Sequence, residues 1–107
     1  MEDSLVFTER NRTLTARIGC EIDHHTAKGL RSEIDRRLFL TKPEILVLDF
    51  ERVSFMDSSG LALIIGRSET ARALGAVVEL VGLSPGIRRL LALSGLERIK
   101  NLTVVER

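Results

Sequence analysis

A strand–helix–strand unit over residues 45–81 constrains the fold more than any other feature of this sequence. Ile45–Leu48 is a continuous apolar run, which is typical of a central strand covered on both faces. A helical pattern follows, and its predicted inner face comprises Leu61, Ile64, Ile65, Ser68 and Ala71. Gly75 ends this helix, and Ala76–Val81 forms a second buried strand. Such a unit has parallel strands and a right-handed crossover.

The residues before this unit predict a hairpin and a helix. Leu5–Thr8 and Thr13–Ile18 are strand-like segments separated by a polar turn, and they form an opening β-hairpin. From Thr26 to about Leu40 the apolar residues recur at helical spacing, and Pro43 closes the exit of this helix.

The residues after the unit predict one more helix and one more strand. Ser84 suits a helix N-cap and Pro85 suits the first turn, so a short helix runs from here to Gly95. Ile99–Val105 forms a last strand. The order β-β-α-β-α-β-α-β predicts an α/β fold, with one mixed sheet of four to five strands and about three helices packed on it. We expect residues 1–107 to form one domain.

The composition argues against several classes of partner. Sixteen basic and fifteen acidic side chains give a net charge of +1, too small to steer the chain to nucleic acid or to an anionic membrane. Cys20 is the single cysteine, and the N-terminus lacks the basic and apolar regions of a signal peptide. We therefore expect a cytoplasmic protein that binds no nucleic acid, membrane, metal or cofactor.

The turn Asp57-Ser58-Ser59-Gly60 is the candidate functional site. Small polar residues at a strand-to-helix junction are often only a helix cap. However, this turn lies at the carboxyl end of a central strand, where α/β sheets place ligands. A helix N-terminus also favours an anion, and a phosphate on Ser58 would add about −1.5 to −2 charges beside Asp57. Such a charge can repel a partner without reshaping the fold.

Catalytic readings of the same turn fit the sequence less well. A nucleophile elbow needs a glycine two residues before the serine, and Met56 stands there before Ser58. A phospho-acceptor role for Asp57 or Asp49 would need further carboxylates to hold Mg²⁺. The adjacent histidines His24 and His25 do not face the same way on a helix, which disfavours a metal site. We predict no catalytic residue.

Two segments together resemble the bacterial anti-sigma factor antagonists of the STAS domain family. They are Glu21–Ala27 and Val53–Leu61, and the later Ser84–Leu90 and Leu93–Leu96 fit the same family. The first segment, with its histidine pair, is similar to the sporulation members that control sigma factor F. Cys20 stands where the family usually has glycine, and the sequence ends at Arg107 before the family's usual last helix.

The resemblance implies a partner switch in the cytoplasm. The unphosphorylated chain would bind the ATP-bound form of an anti-sigma factor that is also a serine kinase, and would thereby free the sigma factor. The kinase would phosphorylate Ser58 and release the chain, and a serine phosphatase would restore it. Asp23, Asp57, Ser58, Ser59 and Gly60 would form the partner-binding surface, with Gly60 allowing close backbone approach. A STAS domain of another route, such as general stress control, and a small-molecule or nucleotide sensor remain alternatives.

Overall fold

The predicted hairpin is present, and its first strand extends two residues beyond the predicted Thr8. A computed structural model describes residues 4–106 of the chain. Strands β1 (Leu5–Arg10) and β2 (Thr13–Ile18) pair antiparallel. Asn11 and Arg12 join them with φ of 52° and 62°, the two positive values that a type I′ turn requires.

Three strand–helix connections follow. Helices α1 (His24–Thr41), α2 (Ser58–Ala73) and α3 (Pro85–Ser94) alternate with strands β3 (Ile45–Asp49), β4 (Val77–Val81) and β5 (Leu102–Val104). The spatial order β1-β2-β3-β4-β5 equals the chain order, and β2 to β5 are mutually parallel. The predicted mixed sheet and element order are confirmed, and β3 lies at the centre of the sheet.

The helices cover one face of this sheet. Each parallel connection steps to the next strand in the same direction, so right-handed crossovers place all three helices on the same side. The strand residues that face the helices have no exposed surface: Leu14, Ala16, Leu46, Leu48, Val78 and Leu80. On the opposite face Ile45 and Val47 are only half-buried. The prediction that this strand is covered on both faces is therefore wrong.

Helix α2 is also rotated relative to the predicted inner face. Ile64, Ser68 and Ala71 are buried and Leu61 is half-buried, but Ile65 is 40% exposed. The inward stripe includes Leu63 and Arg67 instead. Residue 65 lies about 100° around the helix from residue 64, so the prediction of an inward Ile65 is wrong by one position.

Local signals fix the ends of the other elements. Ser84 accepts a hydrogen bond from the Ile87 N–H at 3.3 Å and Pro85 is the first residue of α3, as predicted. Gly95 has φ of 77° beyond the last turn of α3. The last strand is shorter than predicted because residues 99–102 form a turn, in which the Leu102 N–H donates to the Ile99 carbonyl at 3.2 Å. Within residues 4–106, no helix combines the length and the apolar character that a membrane crossing needs.

Candidate partner-binding and phosphorylation site

The N-termini of all three helices meet at one edge of the sheet. Each helix follows the carboxyl end of a parallel strand, and these ends lie along the same edge. The first turns of α1, α2 and α3 contain no acidic residue. This edge therefore carries three positive helix ends, and the residues that cap α1 and α2 are acidic.

A short β-bridge brings the two sequence motifs together. Ile22 pairs in parallel with Met56 beyond the ends of β2 and β3. The Ile22 N–H donates to the Phe55 carbonyl at 3.0 Å, and the Asp57 N–H donates to the Ile22 carbonyl at 3.1 Å. As a result Asp23 and Asp57, each one residue after a bridged position, cap adjacent helices.

Asp23 is the N-cap of α1. Its Oδ1 accepts hydrogen bonds from the His25 N–H at 2.9 Å and the Thr26 N–H at 3.1 Å. The Thr26 hydroxyl oxygen accepts the Asp23 N–H in return, which completes a capping box and starts the helix two residues earlier than predicted. The Thr26 N–H, and then the His25 N–H and the nearby histidines, hold the pKa of Asp23 below its ordinary value.

Asp57 is the N-cap of α2 and leaves Ser58 outside the capping contacts. Its Oδ1 accepts the Ser59 N–H at 2.7 Å, and its carbonyl accepts the Gly60 N–H at 2.9 Å. Ser58 is the first residue of the helix and is exposed, whereas Ser59 is half-buried. Among residues 4–106, the Ser58 hydroxyl has no hydrogen-bond partner, so it is accessible from solvent.

Gly60 is buried, and the structure gives an internal reason for it. A Cβ built at this position would overlap Cγ and Sδ of Met56, the bridged residue. Met56 is itself 7% exposed and belongs to the hydrophobic core. The glycine therefore allows the first turn of α2 to lie directly against the 53–56 loop, which contrasts with the implied role of admitting a partner backbone.

A buried ion pair fixes α1 against α2. Arg67 Nε lies 2.7 Å from Asp35 Oδ1, and the Arg67 side chain is 5% exposed. The Arg67 N–H is not directed at that oxygen, so this is a close charge pair without a well-formed hydrogen bond. Burial lowers the pKa of Arg67, which Asp35 opposes and the nearby positive charge of Arg31 reinforces.

Sequence reasoning missed three side chains beside the site. Phe55 is 50% exposed immediately before the bridged Met56, and a single aromatic residue in a loop carries no periodic signal that reveals its direction. Lys28 and Arg31 line a groove between α1 and α2. Their spacing from His24, at i+4 and i+7, is the signal that could have placed them on one stripe of α1.

Within residues 4–106, no group of three or more His, Cys, Asp and Glu side chains is placed to bind an ion. His24 and His25 stack on each other with ring centroids 3.9 Å apart, and both are exposed. The two cap carboxylates accept backbone N–H groups through their Oδ1 atoms.

Comparison with known sequences identifies relatives over most of the chain. Residues 4–105 match the STAS domain. Over 86 residues the chain is 36% identical to an anti-sigma F factor antagonist of Paenibacillus polymyxa, covering 80% of this chain and 74% of that protein. Over 87 residues it is 32% identical to an anti-sigma-B factor antagonist of Listeria monocytogenes, covering 80% and 75%.

Comparison with solved structures identifies the same class of protein. The anti-sigma factor antagonist SpoIIAA in its unphosphorylated form superposes with a TM-score of 0.81 at 30% identity, over 96% of this chain and 87% of that one. The phosphorylated form of SpoIIAA, a Bacillus cell fate determinant, superposes with a TM-score of 0.74 at 30% identity, over 96% and 90%.

Proposed function

The chain belongs to the anti-sigma factor antagonists of the STAS domain family, and we propose that Ser58 is its regulatory phosphorylation site. The unphosphorylated chain binds the ATP-bound form of an anti-sigma factor serine kinase and frees a sporulation sigma factor. The kinase phosphorylates Ser58, which ends binding, and a serine phosphatase restores the active form. In this proposal Ser58 is a substrate residue, and the chain is not an enzyme.

The proposal rests mainly on the Ser58 hydroxyl, which is exposed and takes no part in capping α2. Asp57 supplies the cap of α2, so the Ser58 side chain has no structural task. A phosphate there would stand at a positive helix end, where an anion is stabilised by about 0.3–1 kcal/mol. The existence of a solved phosphorylated form of SpoIIAA supports phosphorylation as a regulatory event in a similar protein.

The partner surface we propose comprises Asp23, Asp57, Ser58 and Ser59, with Gly60 setting the backbone beneath them. The β-bridge between residues 22 and 56 supports this grouping because it makes the two cap turns neighbours. A like charge placed in such an interface costs several kcal/mol, and each 1.4 kcal/mol is about tenfold in affinity. One phosphate therefore suffices to release a partner.

The experiment is an intact-mass assay with the anti-sigma kinase and Mg-ATP. We expect one phosphate on the wild-type chain, none on Ser58→Ala, and one on the matched control Ser59→Ala. Phosphate on Ser58→Ala, or none on the wild type with a kinase that is active on a control antagonist, would overturn the assignment. Both variants should first show wild-type thermal unfolding.

The Listeria relative supports a second candidate, the general stress route. The site and its chemistry would be the same, and only the kinase would differ. Parallel titrations with a sporulation kinase and a stress-response kinase decide between the two routes, because the cognate partner binds the unphosphorylated chain more tightly.

A further inference from the structure

A groove of about 320 Å³ runs between α1 and α2 beside the proposed switch. Ala27, Ala62 and Leu63 form its apolar part, and Ser59 lines the end next to Ser58. This groove begins one residue from the proposed phosphorylation site. A partner that binds at Ser58 would therefore also meet the side chains that line this groove.

The charged residues of the groove are all basic. His24, Lys28 and Arg31 line it from one stripe of α1, at i, i+4 and i+7. Within residues 4–106, neither Lys28 nor Arg31 forms an ion pair with a carboxylate. The groove thus presents two full positive charges with no internal counter-charge among its lining residues.

The nearby carboxylates do not line the groove. Asp35, the next residue along the α1 stripe, pairs with the buried Arg67. Asp23 and Asp57 accept backbone N–H groups of the first helical turns. Burial lowers the pKa of Arg67, and the nearby positive charge of Arg31 lowers it further.

We propose that this groove binds a carboxylate-bearing segment of the partner kinase, and that a phosphate on Ser58 ends binding by cancelling the groove's positive charge. This inference rests on the proposed function. A phosphoserine carries about −1.5 to −2 charges, which matches the two positive charges of Lys28 and Arg31. Ser58 directly precedes Ser59, which lines the groove, so a phosphate on Ser58 would stand at the end of the groove.

The test compares two double variants with the same change in net charge. Lys28→Gln/Arg31→Gln removes the groove charges. Arg10→Gln/Arg36→Gln removes two exposed charges outside the groove, one of them at the hairpin turn on the opposite edge of the sheet. Thermal unfolding should show that both variants fold like the wild type.

Affinity for the kinase is measured by calorimetry with a non-hydrolysable ATP analogue, at low and at physiological salt. We expect the groove variant to lose about tenfold or more in affinity and most of its salt dependence, and the control to change less than about twofold. Phosphorylation of Ser58 should then weaken binding by a smaller factor in the groove variant than in the wild type, because less positive charge remains to be cancelled.

Three results would overturn the inference. One is a groove variant that binds like the control. Another is an equal loss on phosphorylation in both backgrounds. The third is saturable binding of inorganic phosphate that the groove variant alone loses, with kinase affinity unchanged, which would assign the groove to a small anion. Failure of the wild type to bind any kinase would instead defeat the proposed function itself, so the two failures are distinguishable.

Discussion

Gly60 provides the sharpest test of how the site is built. Replacing it by Ala puts a Cβ where Met56 Cγ and Sδ lie, in the core beneath the switch. Overpacking of this kind costs about 1–3 kcal/mol. The intrinsic gain of Ala over Gly within a helix is about 0.5–1 kcal/mol. We therefore expect Gly60→Ala to lower the free energy of unfolding by about 1–2 kcal/mol, which lowers Tm by roughly 5–10 °C.

Gly66 is the matched control for this substitution. It lies in the same helix, and a Cβ at this position meets no atom within 4 Å. Gly66→Ala therefore keeps the propensity gain without the clash, and we expect it to raise stability by about 0.5–1 kcal/mol. Urea unfolding of both variants should give equal m-values and changes of opposite sign in the free energy of unfolding.

A double-mutant cycle isolates the contact itself. Met56→Ala should cost about 2–5 kcal/mol in the wild type and less in the Gly60→Ala background, because the smaller side chain relieves the overlap. Two results would refute the reasoning. One is a Gly60→Ala variant that is stabilised like Gly66→Ala. The other is a double variant whose loss of stability equals the sum of the losses from Gly60→Ala and Met56→Ala.

Three further predictions concern the caps and the buried pair. Asp57→Ala removes the acceptor of the Ser59 N–H and should lower stability by about 1 kcal/mol, while Asp57→Asn should cost less; urea midpoints compare them. Asp35→Ala leaves the buried Arg67 without its anion and should lower the free energy of unfolding by about 3 kcal/mol. The double variant Asp35→Leu/Arg67→Met should lose less stability. Thermal unfolding would contradict this if the double variant were the less stable of the two. The pKa of Asp23 is lower in the folded chain than in the unfolded one, so its contribution is complete above the unfolded pKa of about 3.9 and is lost as the pH falls toward the folded value. Asp23→Asn should flatten the acid limb of a stability curve measured between about pH 5 and 2, and an unchanged limb would contradict the assignment.

Local sequence signals were sufficient for the elements and their caps. Asp57 and Ser84 precede apolar helical periods, and Gly75 and Gly95 follow them, so each boundary is encoded within a few residues. The single mixed sheet and the order of its elements along the chain also followed from the sequence, because short right-handed crossovers leave few topologies.

Contacts between elements that are distant in the sequence could not be predicted from such local signals. The bridge between Ile22 and Met56 joins segments more than thirty residues apart, and no periodic pattern in the sequence predicts it. The outward direction of Ile65 and the inward direction of Arg67 depend on how α2 is rotated against its neighbours. A buried arginine in particular contradicts the usual preference, and only its pairing with Asp35 explains it.

Our proposal adds the charge at Ser58 and not at Ser59, and the arrangement of the turn supports that choice. The Ser59 side chain is half-buried and lines the groove between α1 and α2, so a modification there would have to fit between the two helices. Ser58 lies outside these contacts, at the exposed first position of the helix. Added charge at Ser58 therefore changes what the surface attracts while the contacts that hold the fold stay in place. In our proposal, switching therefore depends on Ser58, which makes none of the contacts that cap α2.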